Sequence, residues 1–254
     1  MQKTIEAITY DFYGDMFIDI GGNVGMWTTQ MVDLYDKCIF VEPSEAALAD
    51  AKRNIEAVCK SKNVPFENVT FLKNICTDVE GAEKTIFATT QDTGNFSVFA
   101  EELYGTTNVT MAEEKIPTIT LNSLASHITT EKDIFIKIDT EGSDLNVLLG
   151  GLDFIEKYKP TIFVEAHYHM YYDEEKHDKI WTFLKDLGYE LTEFKFPGYL
   201  EQATKVFDGK HNGTQMYDMH FQMVFIPPAS EEVGQEESAE QAENAWQTEQ
   251  VTIH

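Results

Sequence analysis

An acidic residue and three glycines near the start of the chain have the spacing of a cofactor loop. Asp19 lies in the apolar run at 16–20, and Gly21, Gly22 and Gly25 follow it. Glycine adopts backbone angles that other residues avoid and lets the chain approach a ligand closely. The G-G-x-x-G spacing departs from the G-x-G-x-x-G of dinucleotide-binding loops, and an acid just before the glycines would repel a pyrophosphate. The ammonium group of S-adenosylmethionine (SAM) suits such an acid, so we expect SAM in preference to NAD.

A second acid stands where a ribose would be bound. Glu42 follows the apolar run at 37–41 and lies 23 positions after Asp19 (42 − 19). A carboxylate at the end of a second strand can accept hydrogen bonds from both hydroxyls of a ribose. NAD enzymes use the same arrangement, so Glu42 predicts a ribose without distinguishing SAM from NAD.

Three charged residues further along have the alternation of a reaction site. Lys137, Asp139 and Glu141 are spaced two apart at the end of the apolar run at 133–138. Alternate residues of a strand face the same side, and ligands of open α/β sheets bind at the carboxyl ends of strands. We therefore expect Asp139 or Glu141 to contact the hydroxyl of an acceptor, with Lys137 pairing with them. The alternative is an internal salt bridge that only fixes the loop.

Glu165, His167 and His169 alternate in the same way after the apolar run at 161–164. A neutral imidazole accepts a proton near neutral pH, so a histidine here is a candidate general base. Asp139, Glu165 and His167 could together hold a metal ion, but the sequence has no dedicated ligand spacing, and we predict no metal.

Seven apolar runs of strand length alternate with helical patterns and would position these residues. The strands are predicted at 16–20, 37–41, 69–72, 133–138, 161–164, 189–194 and 219–226. Helices are predicted at 26–34, at 45–58 with Ser44 as N-cap, at 143–149 and at 180–187. The alternation predicts a Rossmann-like α/β fold with a mostly parallel, seven-stranded sheet covered by helices on both faces. Short β runs broken by glycines predict a meander or hairpin inserted at about 81–121, between the third and fourth strands.

The composition limits the partners of the chain. The formal net charge of its 254 residues is −25, with 44 acidic and 19 basic side chains, which argues against a nucleic-acid substrate. No run approaches the roughly 18 apolar residues of a membrane span, and no apolar leader is present, so we expect a cytoplasmic protein without a membrane partner. One domain is predicted at 1–228. Residues 229–254 hold seven glutamates without lysine or arginine and predict a flexible acidic tail.

Several segments together resemble the FkbM-type family of SAM-dependent methyltransferases. They are, in the family's order, Phe17-Ile-Asp-Ile-Gly-Gly-Asn-Val-Gly25, Phe40-Val-Glu-Pro-Ser44, Ile116-Pro-Thr-Ile-Thr-Leu-Asn-Ser-Leu124, Ile136-Lys-Ile-Asp-Thr-Glu-Gly142 with Val147-Leu-Leu-Gly150, and Pro160-Thr-Ile-Phe-Val-Glu-Ala-His167. The Lys-Ile-Asp-x-Glu-Gly run is the most specific of these. Asn122 departs from the pattern, because the family commonly has Asp there.

The resemblance implies a class I methyltransferase sheet and, usually, O-methylation of a hydroxyl on a sugar or polyketide-like molecule. It implies that SAM is held by Asp19, Gly21, Asn23, Gly25 and Glu42, with Asp78 near the adenine. His167 occupies the family's Val-Glu-x-His position and is the preferred general base. We therefore predict a SAM-dependent O-methyltransferase acting on a glycan or other small hydroxylated acceptor. The alternatives are a non-catalytic binding or structural protein that uses its acidic tail for assembly, and a nicotinamide-dependent oxidoreductase, which the glycine spacing disfavours.

Overall fold

The computed structural model describes residues 13–89, 96–97, 109–128, 133–167, 174–192 and 220–228 of the chain. His169 and the predicted acidic tail at 229–254 lie outside these ranges. For His167 the backbone is described and the side chain is not.

Strands and helices alternate along most of the described chain. The strands are β1 (Gly14–Ile20), β2 (Tyr35–Val41), β3 (Val69–Leu72), β4 (Ile75–Cys76), β5 (Glu83–Thr89), β6 (Phe96–Ser97), β7 (Val109–Ile119), β8 (Ile134–Ile138), β9 (Thr161–His167), β10 (Glu190–Thr192) and β11 (His220–Ile226). The α-helices are α1 (Thr28–Met31), α2 (Glu45–Lys62), α3 (Asp144–Leu149), α4 (Leu152–Tyr158) and α5 (Glu174–Asp186), and 3₁₀-helices lie at Phe66–Asn68 and Asn122–His127. Ser44 caps α2 as predicted, because its hydroxyl accepts a hydrogen bond from the backbone N–H of Ala47 at 3.3 Å. Within the described ranges, no helix is both long and apolar enough to cross a membrane.

The main sheet has the strand order β10-β11-β9-β8-β1-β2-β3. Neighbours from β9 to β3 pair in parallel, while β11 is antiparallel to both β9 and β10. The predicted α/β class with a mostly parallel sheet is therefore confirmed. The chain runs outward from β1 to β3 and then returns to the other side of β1 at β8. A reversal of this kind opens a crevice at the carboxyl ends of the two central strands, where ligands of open α/β sheets bind.

Both faces of the sheet are buried, and they differ in composition. One face is aromatic: the rings of Phe17 and Phe135 stack with centroids 5.8 Å apart, and Trp27 lies 4.5 Å from Phe163. The opposite face is aliphatic and includes Ile18, Ile39, Ile136 and Ile162. Because alternate residues of a strand share a face, Asp19 points to the aromatic side with Phe17, where α1 covers it.

The segment between β3 and β8 forms a second sheet with the order β4-β7-β5-β6. β5 pairs antiparallel with both β6 and β7, whereas β4 pairs in parallel with β7. A meander would place these strands side by side in chain order, so the inserted sheet differs from the predicted meander in its pairing order. It also begins earlier than predicted, at Ile75. The sequence marks the β runs but not their partners, because strand pairing is decided by contacts distant in the chain.

Candidate active site

A cavity opens at the carboxyl ends of β1, β2 and β8, where the strand order reverses. Its empty space, which is partly open to solvent, amounts to about 610 Å³. Its polar lining includes Gly21, Asn23, Glu42, Asp139, Thr140, Glu141 and Ser143. Its apolar lining includes Val41, Ile75 and Ile86, the last two from the inserted sheet. The glycine loop and the Lys-Ile-Asp motif are therefore brought to one cavity.

The glycines of the loop allow the loop to pack closely against its neighbours. Gly21 has a φ of +75°, and a Cβ there would lie 1.9 Å from the backbone carbonyl oxygen of Asp139. At Gly22 a Cβ would lie 2.1 Å from the ring of Phe40, and at Gly25 it would lie 3.0 Å from a side chain of α2. From the sequence, we expected these glycines to let the chain approach a ligand closely. The structure adds that the loop also needs them in order to fit between β8, β2 and α2.

Lys137 ties the glycine loop to the end of β8. Its Nζ donates to the carbonyl oxygen of Gly21 at 2.7 Å and lies 3.2 Å from a carboxylate oxygen of both Asp19 and Asp139. The lysine is 2% exposed and Asp19 is 0% exposed, and Thr28 Oγ1 donates to the second oxygen of Asp19 at 2.7 Å. Burial alone would lower the pKa of Lys137, but the carboxylates of Asp139 and Asp19 raise it more, so its pKa lies above the ordinary value of a lysine. Lys137 is therefore a buried cation that joins two strand ends.

Asp19 does not line the cavity, contrary to the prediction that it meets the ammonium group of a cofactor. It lies between β1 and α1, and its negative charge is paired with Lys137. The acid that lines the cavity at this point is Asp139, which is 15% exposed. Lys137 and Asp139 pair as their alternation predicts, but Glu141 does not continue the pattern. β8 ends at Ile138, and Glu141 has a φ of +48°, which turns the chain.

Glu42 bridges the glycine loop and the end of β2. Its Oε2 accepts a hydrogen bond from the backbone N–H of Asn23 at 2.9 Å, and its Oε1 accepts one from the N–H of Ser44 at 2.8 Å. Burial raises the pKa of Glu42 to about 7, against the lowering effect of these two hydrogen bonds. Each carboxylate oxygen has a second lone pair, so Glu42 can still accept the ribose hydroxyls that the sequence predicts.

Glu141 brings a perturbed carboxyl group to the cavity. Burial, together with the nearby charges of Asp139 and Asp144, raises its pKa to about 8. Glu165 acts in the same direction more weakly, and Lys137 opposes it. A carboxyl group with such a pKa exchanges its proton near neutral pH, as general acids and bases do.

Asp78 lies outside the lining of the cavity. Its exposed carboxylate accepts hydrogen bonds from Asn146 Nδ2 at 3.0 Å and Thr77 Oγ1 at 2.9 Å, and the bond from Asn146 is the main cause of its lowered pKa. The neighbouring Ile75 and Cys76 line the cavity instead. The contact of Asp78 with an adenine, implied by the resemblance, is therefore not supported by its position.

Ser143 is a lining residue that the sequence did not single out. It is 2% exposed, and in the described part of the chain its Oγ has no hydrogen-bond partner. The next residue, Asp144, accepts hydrogen bonds from the N–H and the hydroxyl of Thr140 at 2.9 and 2.7 Å, which holds the loop. In the sequence, a serine before a helix looks like an ordinary N-cap. Ser143 differs from such a cap because its hydroxyl is buried and has no hydrogen-bond partner in the described part of the chain.

His167 is the last residue of β9, which runs parallel to β8 and therefore ends at the same edge of the sheet. Its backbone pairs with His220 of β11. Its role as a general base stays a prediction, because its side chain lies outside the described part of the structure. Among the described residues, no group of three or more His, Cys, Asp and Glu side chains is arranged to hold a metal ion.

Comparisons with known proteins bear on this site. A family model described as the methyltransferase FkbM domain matches residues 19–191. A comparison with curated protein sequences gives no match. Among solved structures, the methyltransferase FkbM from Methylobacillus flagellatus KT is similar, with 15% identity, a TM-score of 0.50, and coverage of 84% of this chain and 43% of that chain. This chain thus spans less than half of that protein.

A second solved structure, SMU.1697c from Streptococcus mutans in complex with S-adenosylhomocysteine (SAH), has 10% identity and a TM-score of 0.48. The match covers 89% of this chain and 97% of that chain. At such identities the likeness to solved structures concerns the fold alone.

Proposed function

This chain belongs to the FkbM methyltransferase family, and on that basis we propose that it is a SAM-dependent O-methyltransferase acting on a hydroxyl of a sugar, a glycan or another small molecule. Membership of the family supports methyl transfer from SAM, and the oxygen acceptor is the further step of the proposal. One observation carries it. Glu42, which we assign to a ribose, and Glu141, whose pKa is raised to about 8, line the same cavity at the reversal of the strand order.

The lining of the cavity fits the parts of SAM. Ile75 and Ile86 offer an apolar wall of the kind against which an adenine packs. Glu42 keeps lone pairs for the ribose hydroxyls. Asp139 supplies negative charge for the sulfonium and ammonium groups. The same acids would repel the pyrophosphate of NAD, which favours SAM over a nicotinamide dinucleotide.

The residues of the chain must align an acceptor oxygen and remove its proton. When bound, SAM would supply a methyl group on a sulfonium, and the neutral thioether that remains would be a good leaving group. We assign proton acceptance to the carboxylate of Glu141, because it lines the cavity and its pKa of about 8 leaves an ionised fraction at neutral pH. Lys137 holds the adjacent Asp139 and the Gly21 carbonyl in place. His167, at the same edge of the sheet, is the second candidate for the base.

Ligand binding tests the cofactor. SAM, SAH and NAD are compared on the full chain by thermal shift and by calorimetry. We expect SAM and SAH to raise the melting temperature and NAD to leave it unchanged. A folded protein that binds NAD but not SAM, or that binds neither, would overturn the proposal.

Transfer of a labelled methyl group tests the reaction and the base. Glycans and small hydroxylated molecules are screened with methyl-labelled SAM, and the methylated atom of the product is identified by NMR. Methylation at nitrogen or carbon would contradict the O-methyltransferase assignment. Once an acceptor is found, Glu141→Gln should abolish turnover while SAM still binds; if His167→Ala does so and Glu141→Gln does not, the base is the histidine.

A further inference from the structure

We infer that Ser143 selects the acceptor: its hydroxyl hydrogen-bonds a second hydroxyl of the acceptor, on the carbon atom next to the one whose oxygen is methylated. The inference rests on the proposed function and names its substrate class, a molecule with hydroxyl groups on adjacent carbon atoms, as in a sugar ring. Ser143 touches the acceptor directly, while Glu141 takes the proton of the reacting hydroxyl.

The hydroxyl of Ser143 is hidden from water and is not used by the described part of the chain. The residue is 2% exposed, it lines the cavity, and its Oγ has no hydrogen-bond partner there. A buried hydroxyl without a partner is costly, and a ligand group that bonds to it removes this cost. A change of χ1 rotamer moves Oγ without moving the backbone, so the hydroxyl can reach an atom bound in the cavity.

Capping of a helix does not explain this serine, although it directly precedes α3. Ser143 has a φ of −87° and a ψ of 7°, whereas Ser44, which caps α2, has the extended backbone that N-caps adopt. Oγ of Ser44 accepts a hydrogen bond from the N–H of Ala47 at 3.3 Å, and the side chain of Ser143 accepts none from α3. Two equally buried serines at helix starts therefore differ in what their hydroxyls do.

The loop that carries Ser143 is held by its own hydrogen bonds. The N–H and the hydroxyl of Thr140 both donate to Oδ1 of Asp144, at 2.9 and 2.7 Å. The carbonyl oxygen of Ser143 accepts a hydrogen bond from the N–H of Val147 at 2.9 Å. Of the two hydroxyls in this loop, that of Thr140 is therefore occupied, and that of Ser143 remains for a ligand.

The position of Ser143 favours the acceptor over the cofactor. Glu42, which we assign to the ribose, follows β2, whereas Ser143 lies on the loop after β8, and β1 separates these two strands. Neighbouring strands lie about 4.8 Å apart, so the ends of β2 and β8 are about 10 Å apart across the sheet. Glu141, which we assign to the acceptor's proton, precedes Ser143 by two residues, so their Cα atoms lie within about 7 Å of each other.

The chemistry of a serine hydroxyl fits a second alcohol. It donates one hydrogen bond and accepts others, as the hydroxyl of a sugar does. Glu141 and Ser143 line the same cavity from one loop, so an acceptor with oxygen atoms on adjacent carbons can meet both. An acceptor with a single hydroxyl would leave Oγ of Ser143 unpaired, and sites built in this way reject such analogues.

Thermal unfolding without ligand distinguishes a ligand-binding hydroxyl from a structural one. Ser44→Ala removes a cap, so the melting temperature should fall by about 2–4 °C. Ser143→Ala removes a hydroxyl that is equally buried but has no partner in the described structure, so the melting temperature should stay the same or rise. Calorimetry should give both variants of Ser143, with and without the hydroxyl, the same affinity for SAM within about twofold.

Methyl transfer to sugars tests the contact with the acceptor. The methyl glycosides of glucose, mannose and galactose are offered with methyl-labelled SAM, and NMR identifies the methylated oxygen. Each acceptor is then compared with the deoxy analogue that lacks the hydroxyl next to that oxygen. The unaltered protein should use the analogue about tenfold to a hundredfold less well in kcat/KM, because Oγ of Ser143 is left unpaired.

Ser143→Ala should lose this preference. Its kcat/KM for the full acceptor should fall to that of the unaltered protein with the deoxy analogue, and the analogue itself should be used as before. The matched control is Ser61→Ala, which removes an exposed hydroxyl of α2 that donates to the carbonyl oxygen of Val58. That control should keep the preference of the unaltered protein.

The outcomes separate the inference from the function on which it rests. A melting temperature of Ser143→Ala that falls as far as that of Ser44→Ala, or a tenfold loss of SAM affinity, would overturn the inference and leave the proposed function standing. Equal use of acceptor and deoxy analogue by the unaltered protein would overturn it as well, and this comparison needs no variant to fold. Failure of SAM to bind, or of every hydroxylated probe to be methylated, would count against the proposed function itself.

Discussion

Replacement of Lys137 by methionine is the most direct test of how the site is held together. Lys137→Met keeps a long side chain in the core and removes the charge that lies 3.2 Å from both Asp19 and Asp139. It also removes the donor to the carbonyl oxygen of Gly21. We expect a large loss of stability, because two acids lose their cation while one of them stays fully buried.

The magnitude follows from the burial of the two aspartates. Removing one partner of a buried ion pair costs about 3–5 kcal/mol, because the remaining charge is not compensated. Asp139 is 15% exposed and can be hydrated, whereas Asp19 is 0% exposed and keeps the hydroxyl of Thr28 as a donor. We therefore expect about 4 kcal/mol, chiefly from Asp19. For a chain of this size the melting temperature should fall by about 8–16 °C.

Urea unfolding followed by circular dichroism measures this loss. The matched control is Lys62→Met, which removes the ion pair between Lys62 Nζ and Asp33 Oδ1 at 2.7 Å. The side chains of these two residues are 35% and 36% exposed. That pair should contribute about 0–1 kcal/mol. The loss at Lys137 should be smaller at pH 5 than at pH 8, because a proton taken up by the orphaned carboxyl group replaces the missing cation.

Three results would refute this reasoning. One is a loss below about 1 kcal/mol, and another is a loss equal to that of Lys62→Met. The third is a loss that grows on acidification. If Lys137→Met does not fold, the double variant with Asp19→Asn removes the orphaned charge and should recover a folded protein.

Three further predictions concern the loop and the two glutamates. Gly21→Ala should destabilise the protein in urea by at least about 2 kcal/mol more than the control Gly81→Ala. Both glycines have a positive φ, but a Cβ at Gly21 would meet the carbonyl oxygen of Asp139, whereas a Cβ at Gly81 would meet nothing within 4 Å. Equal losses would contradict this clash. Glu42→Gln should weaken SAM binding about tenfold by calorimetry, since an amide offers one acceptor oxygen, and Glu67→Gln should not. With an acceptor in hand, kcat/KM of the unaltered protein should rise between pH 6.5 and 9 with a midpoint near 8, because the base acts when Glu141 is deprotonated. Any residual rate of Glu141→Gln should lack this rise, and a rate of the unaltered protein that falls over the range would exclude the assignment.

The sheet could be predicted from the sequence because its signals are local. Buried parallel strands read as continuous apolar runs, and the cap of α2 is a serine directly before a run of helix formers. α4 was not predicted, since it follows Gly150 and Gly151 and has no capping side chain of its own. Its first turn is capped by Asn122, whose Oδ1 accepts a hydrogen bond from the N–H of Phe154 at 2.9 Å. A cap supplied from another part of the chain leaves no local pattern.

The sequence was enough to predict which residues reach the site, but not which of them contact one another. Glu42, Asp139 and Glu141 reach the cavity because each follows a strand that ends at the same edge. Asp19 was expected to meet a ligand, but the register places it beside Lys137 of β8 and α1 covers it. Which acid faces a ligand and which faces a lysine depends on strand register and on the covering helix, and neither is encoded next to the acid.

The hydrogen bonds of the glycine loop bear on how fast a cofactor can bind. Besides the contact with Lys137, the N–H groups of Gly21 and Gly22 donate to the carbonyl oxygen of Val41 at 3.0 and 3.2 Å. These contacts are made by the chain itself, so we expect the loop to keep its shape without a ligand, and no binding free energy is then needed to order it. Association should then proceed in one kinetic phase governed by diffusion and charge attraction. The amides of Gly21 and Gly22 should already be protected from hydrogen exchange in the ligand-free protein.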